Sequence, residues 1–194
     1  MDKALFSRRT CLQTLSAFCA LRSAAVRAAD KPVSAGKRIL VVYFSWAGSS
    51  ETVAKEVHRI LGGDIARIER VEPYPTVYEK TTEVAKAEKS ANARPAIKPM
   101  PDVRNYDIIV IGHAIWSGTM PMPVRTFLES QDFSGKTVAH WTTHGGSGLG
   151  DSQEILERAL KSATVLPGLG VYGWGGVRDI ASVGRWLKRI GLAK

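Results

Sequence analysis

The chain has 194 residues, with 27 Lys and Arg against 18 Asp and Glu for a formal net charge of +9, and 44% of its residues are hydrophobic. That is enough for one compact domain and its core, and the bases are interleaved with acids rather than gathered in the stripe a nucleic-acid binder would show. Both cysteines, Cys11 and Cys19, lie near the start, so residues 30–194 hold no thiol for disulfides or for a cysteine-ligated metal.

Residues 1–29 read as an export leader. Ser7-Arg8-Arg9 precedes a mildly apolar stretch from Leu12 to Leu21, and small residues close it, with Val26 and Ala28 suited to a cut after Ala28. This is the layout of a twin-arginine signal, and it predicts a periplasmic protein. A membrane span needs roughly 20 apolar residues, and this stretch is shorter and contains Gln13, Thr14 and Ser16. The leader holds five bases (Lys3, Arg8, Arg9, Arg22, Arg27) and one acid, Asp2. Residues 30–194, the predicted mature domain, therefore keep 22 bases and 17 acids, a net of +5.

Residues 38–44 (RILVVYF) form a near-continuous apolar, β-branched run, as expected of a strand covered on both faces. The run stops at Ser45, Trp46, Ala47, Gly48, Ser49 and Ser50, a loop of small residues with one indole. Residues 51–61 then place Val53, Ala54, Val57, Ile60 and Leu61 on one helical face before Gly62-Gly63. A strand, a small-residue loop and a helix start aim free backbone N–H groups and a positive helix end at one point, which suits an anion. Ser45, Ser49 and Ser50 add hydroxyls. The alternative is an ordinary turn with Ser50 as helix cap. Neither a Walker A loop nor a Gly-x-Gly-x-x-Gly fingerprint is present.

Residues 64–71 alternate as a second strand nearer the sheet edge, and residues 77–91 read as a polar helix with a thin stripe through Val77, Thr81, Val84 and Ala85. Residues 106–113 (YDIIVIGH) make a third, central strand, which delivers Ile115, Trp116, Ser117 and Gly118. A helix follows at 124–130. Residues 136–143 form a fourth strand delivering Thr143, His144, Gly145 and Gly146, and Asp151 caps the next helix, through Leu160. Residues 164–171 make a fifth strand broken by glycine, and a helix over 179–190 closes the chain.

Five strands alternating with helices predict a doubly wound parallel α/β sheet, with ligands held beyond the strands' carboxyl ends. Three small-residue loops, at 45–50, 114–119 and 143–150, fall on that edge. Trp46 and Trp116 there suit a flat aromatic ring, although buried core packing is the ordinary use of an indole. His144 offers a donor, or serves structurally. His113, His140 and His144 are read as structural rather than metal-binding, since His140 lies inside a strand. No catalytic residue is assigned. A serine hydrolase is ruled out because Leu149 breaks a nucleophile elbow around Ser147 and no His follows it.

The segments 43–50 (YFSWAGSS), 106–118 (YDIIVIGHAIWSG), 123–130 (PVRTFLES) and 143–148 (THGGSG) resemble the flavodoxin-like family, over nearly all of the mature domain. The resemblance implies a five-stranded 2-1-3-4-5 sheet that binds FMN. The first loop would hold the phosphate, Ile115, Trp116 and Gly118 would meet the isoalloxazine, and the third loop would border its pyrimidine edge. Where Ala47 stands the family usually has Ser or Thr, and one lost hydroxyl costs about 1 kcal/mol. An exported FMN redox protein is the function implied, either an electron carrier or a quinone-type reductase, with a partner protein or a small-molecule acceptor. The alternative is a non-redox binding module that has lost the flavin.

Overall fold

The computed structural model describes residues 33–194, so the leader, its cleavage site and the boundary at 29/30 lie outside the described residues. The elements are β1 (Ile39–Tyr43), α1 (Ser49–Leu61), β2 (Asp64–Arg67), α2 (Tyr78–Ser90), β3 (Ile108–Ala114), α3 (Met122–Glu129), β4 (Thr137–His144), α4 (Ser152–Ala159), β5 (Thr164–Val165), β6 (Leu169–Tyr172) and α5 (Ala181–Arg189). The strands pair in parallel in the order β2-β1-β3-β4-β5, and β6 also pairs with β4. The predicted fifth strand is thus two short ones, because Pro167 has no N–H to give the ladder. No helix among the described residues is long and apolar enough to cross a membrane.

The apolar runs are central strands because both of their faces are covered. Leu40, Val42 and Phe44 of the first run, with Ile109, Ile111 and Val138, pack under Val124 and Phe127 of α3 and Leu156 of α4. The alternate residues Ile39, Val41, Ile108, Val110 and Trp141 face Val53 and Val57 of α1 and Trp186 and Leu187 of α5. Period-two alternation divides one buried strand between two cores. In the β3–β4 register Gly112 sits opposite Trp141, whose ring occupies the space a side chain at Gly112 would need.

Two details differ from expectation. Val77 lies outside the helix stripe and is 47% exposed, while Thr81 is buried with its hydroxyl donating to the Pro75 carbonyl at 2.5 Å. Asp151 precedes α4 but its side chain caps nothing. Its backbone carbonyl accepts from Ile155 N–H at 3.0 Å, and its Oδ1 is buried instead.

His113 and His140 lie on the α3/α4 face, since Ile111 pairs with His140 and His113 with Thr142. Burial pushes His113 down to about 4 and His140 down to about 3 from an ordinary 6.5. Both are neutral in the folded chain, and below pH 6.5 the unfolded chain binds protons that the folded one refuses. Stability is therefore complete above about pH 6.5 and falls as the pH drops toward 4, by up to about 1.4 kcal/mol per pH unit for each histidine. Urea denaturation at about pH 7 and pH 5 should show the loss, and His140→Leu should reduce its slope. A midpoint equal at the two pH values would mean that the imidazoles take up protons in the folded state.

Candidate functional site

The carboxyl ends of β1, β3, β4 and β6 surround a cavity of about 610 Å³, within the usual range for small-molecule sites. Its floor is the start of α1. Gly48 holds the N-cap position at φ 91°, a left-handed conformation that glycine tolerates. It releases the N–H groups of Ser49, Ser50 and Glu51, which have no carbonyl one turn back. The hydroxyls are more committed than the sequence suggests. Ser45 Oγ accepts from Gly48 N–H at 3.1 Å, Ser49 Oγ donates to the Gly173 carbonyl at 2.8 Å, and Ser50 shares a 2.7 Å hydrogen bond with Thr143. Ser50 is therefore buried in that pairing rather than capping the helix. An anion here is met chiefly by backbone N–H groups, with the Ser45 proton free to join them.

The indoles divide their duties. Trp46 donates from Nε1 to the Pro75 carbonyl at 2.9 Å and tilts against Tyr78, with ring centres 6.3 Å apart. Trp116 meets Phe44 and Tyr74 edge-on, at 5.3 and 5.0 Å, while also lining the cavity. It is at once the rim of the core and a wall of the site. Trp116 and Thr119 exchange backbone hydrogen bonds of 2.9 and 3.1 Å, so Ser117 and Gly118 form a two-residue turn with both φ values positive.

His144 accepts the Gly146 N–H at Nδ1, at 3.0 Å, which places the proton of the neutral ring on Nε2. Burial holds it below the ordinary histidine value. That Nε2 lies beside Gly170 of β6.

Of the fourteen residues singled out in the three loops, twelve line the cavity: Ser45, Trp46, Ala47, Gly48, Ser49, Ser50, Ile115, Trp116, Ser117, Thr143, His144 and Gly145. Gly118 and Gly146 sit in the same loops outside the lining. Two further stretches complete the site, Tyr78, Thr81, Thr82 and Ala85 of α2, and residues 173–177 after β6. Trp174 there is 61% exposed and meets Tyr78 edge-on at 6.1 Å, so the aromatic rim crosses the mouth. The sequence carried a signal for this loop, since Gly173-Trp174-Gly175-Gly176 repeats the small-residue, one-indole pattern of residues 45–50.

Among the described residues no Asp, Glu, Lys or Arg lines the cavity. Two cations bond to backbone carbonyls of its walls, Arg67 Nη2 on the Ser45 carbonyl and Lys89 Nζ on the Ser117 carbonyl, each at 2.7 Å. Among the described residues no group of three His, Cys, Asp or Glu could hold a metal. The arrangement suits a ligand with a phosphate at one end, held at the α1 start, and a flat ring at the other, against Trp116.

Residues 38–187 match the family model for flavodoxin. Among solved structures, a protein from Bacteroides eggerthii DSM 20697 provisionally assigned as a flavoprotein is 29% identical, with a TM-score of 0.70 over 79% of this chain and 98% of that one. Another so assigned, from Bacteroides uniformis ATCC 8492, is 28% identical with a TM-score of 0.69 over 78% and 97%. A flavoprotein from Lactobacillus acidophilus NCFM, in complex with FMN, shares the fold at 24% identity and a TM-score of 0.62, over 77% of this chain and 98% of that one. No curated protein sequence matches the chain.

Proposed function

The chain belongs to the flavodoxin family, and on that premise we propose that it is an exported FMN-binding redox protein, passing electrons to a partner or to a quinone-type acceptor. The observation that carries this reading is that the free N–H groups of the α1 start and the Trp116 wall open into one uncharged cavity. Bound FMN would supply a ring that takes up one or two electrons. The chain's own part is to hold it. The N–H groups of Ser49 and Ser50, which line the cavity, would meet the phosphate with the helix dipole behind them. Ile115 and Trp116 would lie along the ring, and Thr143 and Gly145 would border it. Among the described residues no carboxylate lines the walls, so they would place no fixed negative charge beside the ring.

Titration of the purified protein with FMN, followed by flavin fluorescence, tests the reading. Quenching that saturates at one FMN per chain is expected. A colourless protein that leaves FMN fluorescence unchanged would overturn it, and riboflavin binding as tightly as FMN would remove the phosphate from the α1 start.

The leader supports the location. Twin-arginine transport carries folded proteins, so a cofactor loaded in the cytoplasm crosses with its protein. Replacing Arg8 and Arg9 together by Lys should leave the protein, flavin included, in the cytoplasm. Fractionation that finds the double variant in the periplasm at the normal level would sink the assignment.

A further inference from the structure

Behind the Trp116 wall lies an ionic cluster that cofactor binding by the three loops does not use. The side chains of Arg70 and Glu88 are only 12% and 10% exposed, with Nη2 and Oε1 3.0 Å apart. The Tyr74 hydroxyl donates to the other carboxylate oxygen of Glu88, and the Arg70 guanidinium stands 4.2 Å from the centre of the Tyr74 ring. Burial, with Glu88 beside it, pushes the Tyr74 phenol far above its ordinary value, so it remains a donor. A buried ion pair is weak evidence for stability, since apolar residues of the same volume often serve as well or better. Its geometry points instead to what it holds. Tyr74, the partner of Glu88, meets Trp116 edge-on at 5.0 Å, and Trp116 is itself a wall of the cavity.

The next residue along α2 acts on the same loop. Lys89 Nζ donates to the carbonyl of Ser117, which sits at φ 50°, a conformation that a residue with a Cβ keeps only when its surroundings hold it there. Two consecutive residues in the last turn of α2 thus reach one hairpin, one through a side chain and one through the backbone. We propose that Glu88, assisted by Arg70 and acting through Tyr74, is a positioning residue that fixes the plane of the Trp116 indole against the flavin ring, while Lys89 fixes the turn that carries it. This rests on the FMN reading above.

The test uses protein labelled with 5-fluorotryptophan, in which Trp116→Phe identifies the Trp116 fluorine signal, alongside FMN titration and the visible circular dichroism of bound flavin. Glu88→Leu and Glu88→Gln both strip Arg70 of its counter-charge, so a merely structural role predicts the same loss in both. Positioning predicts a difference. In Glu88→Gln the amide oxygen still accepts the phenol, so the Trp116 signal and the flavin dichroism should stay close to wild type. In Glu88→Leu the signal should shift or split in the apoprotein, and FMN affinity should fall about tenfold. Should Glu88→Leu fail to fold, Tyr74→Phe removes only the phenol and should give the same shift. Lys89→Met, at an exposed position, should do so more weakly. Equal signals for Gln and Leu, or a wild-type signal in Tyr74→Phe, would overturn the proposal. Wild-type protein that binds no FMN would defeat the cofactor reading alone, since the apoprotein signal still decides the positioning.

Discussion

Gly112→Ala is expected to cost the domain about 3 kcal/mol or more, a large part of the roughly 5–15 kcal/mol that holds a domain together. Gly112 lies in β3, between Tyr43 of β1 and Trp141 of β4. A methyl group there would overlap the six-membered part of the Trp141 indole, and Trp141 is fully buried, so the ring has no solvent to retreat into. Either the ring leaves its rotamer or β3 separates from β4. The second course reaches the site, because the Gly112 carbonyl accepts the Phe44 N–H at 2.9 Å, one residue before the 45–50 loop begins. Trp141→Leu alone should also destabilise, by loss of buried contacts and the space left behind. Combined, the two changes should be less harmful than their sum by about 1–3 kcal/mol, as the methyl fills what the indole vacated. Thermal or urea unfolding of the two single variants and the double variant gives that coupling directly. Strict additivity would mean that the ring and the glycine do not depend on each other.

Much of this fold lies open in the sequence because its central strands are covered on both sides. Residues 38–44 and 106–113 need no alternation, and β1 and β3 fall within a residue or two of those runs. The loop after β1 was legible for a related reason. A buried strand followed directly by small residues and a helix leaves little else for the chain to do. What stayed hidden depends on contacts between distant residues. β5 and β6 are separate because Pro167 interrupts the ladder and a Cβ at Gly168 would run into the His140 ring, a packing fact 28 positions away in sequence. The α2 contribution was hidden because Tyr78 and Thr82 look like any solvated helix face, and only the fold brings them over the cavity. The loop at 173–177 did carry the right residues. Its position follows from the Ser49 hydroxyl on the Gly173 carbonyl, which draws the last loop back over the first. The Arg70–Glu88 pair is the extreme case, since both residues look like surface charges until Tyr74 is seen packed against them, with Trp116 on its other side.

Gly48→Leu is expected to reduce FMN affinity a hundredfold or more, about 2.7 kcal/mol, while the protein stays folded. The structure refines the reason. A Cβ at Gly48 would meet nothing within 4 Å, so the residue is not glycine for lack of room in the protein itself. It is glycine because its φ of 91° is strained for any other residue and because the open space beside it belongs to the cavity. Strain and occlusion can be separated. Gly48→Ala carries the strain, about 1–3 kcal/mol, but adds only one methyl group in front of the helix. It should lower the melting temperature and weaken FMN modestly. Gly48→Leu adds the same strain and fills the space before the Ser49 and Ser50 N–H groups, so its stability should match that of the alanine variant while its FMN affinity collapses. Riboflavin, which has no phosphate to place there, should lose much less affinity from Ala to Leu than FMN does. Fluorescence titrations of both ligands against both variants make the comparison. If Gly48→Leu binds FMN within tenfold of Gly48→Ala, the phosphate is not seated at the start of α1, and the anion contacts must be sought elsewhere in the cavity.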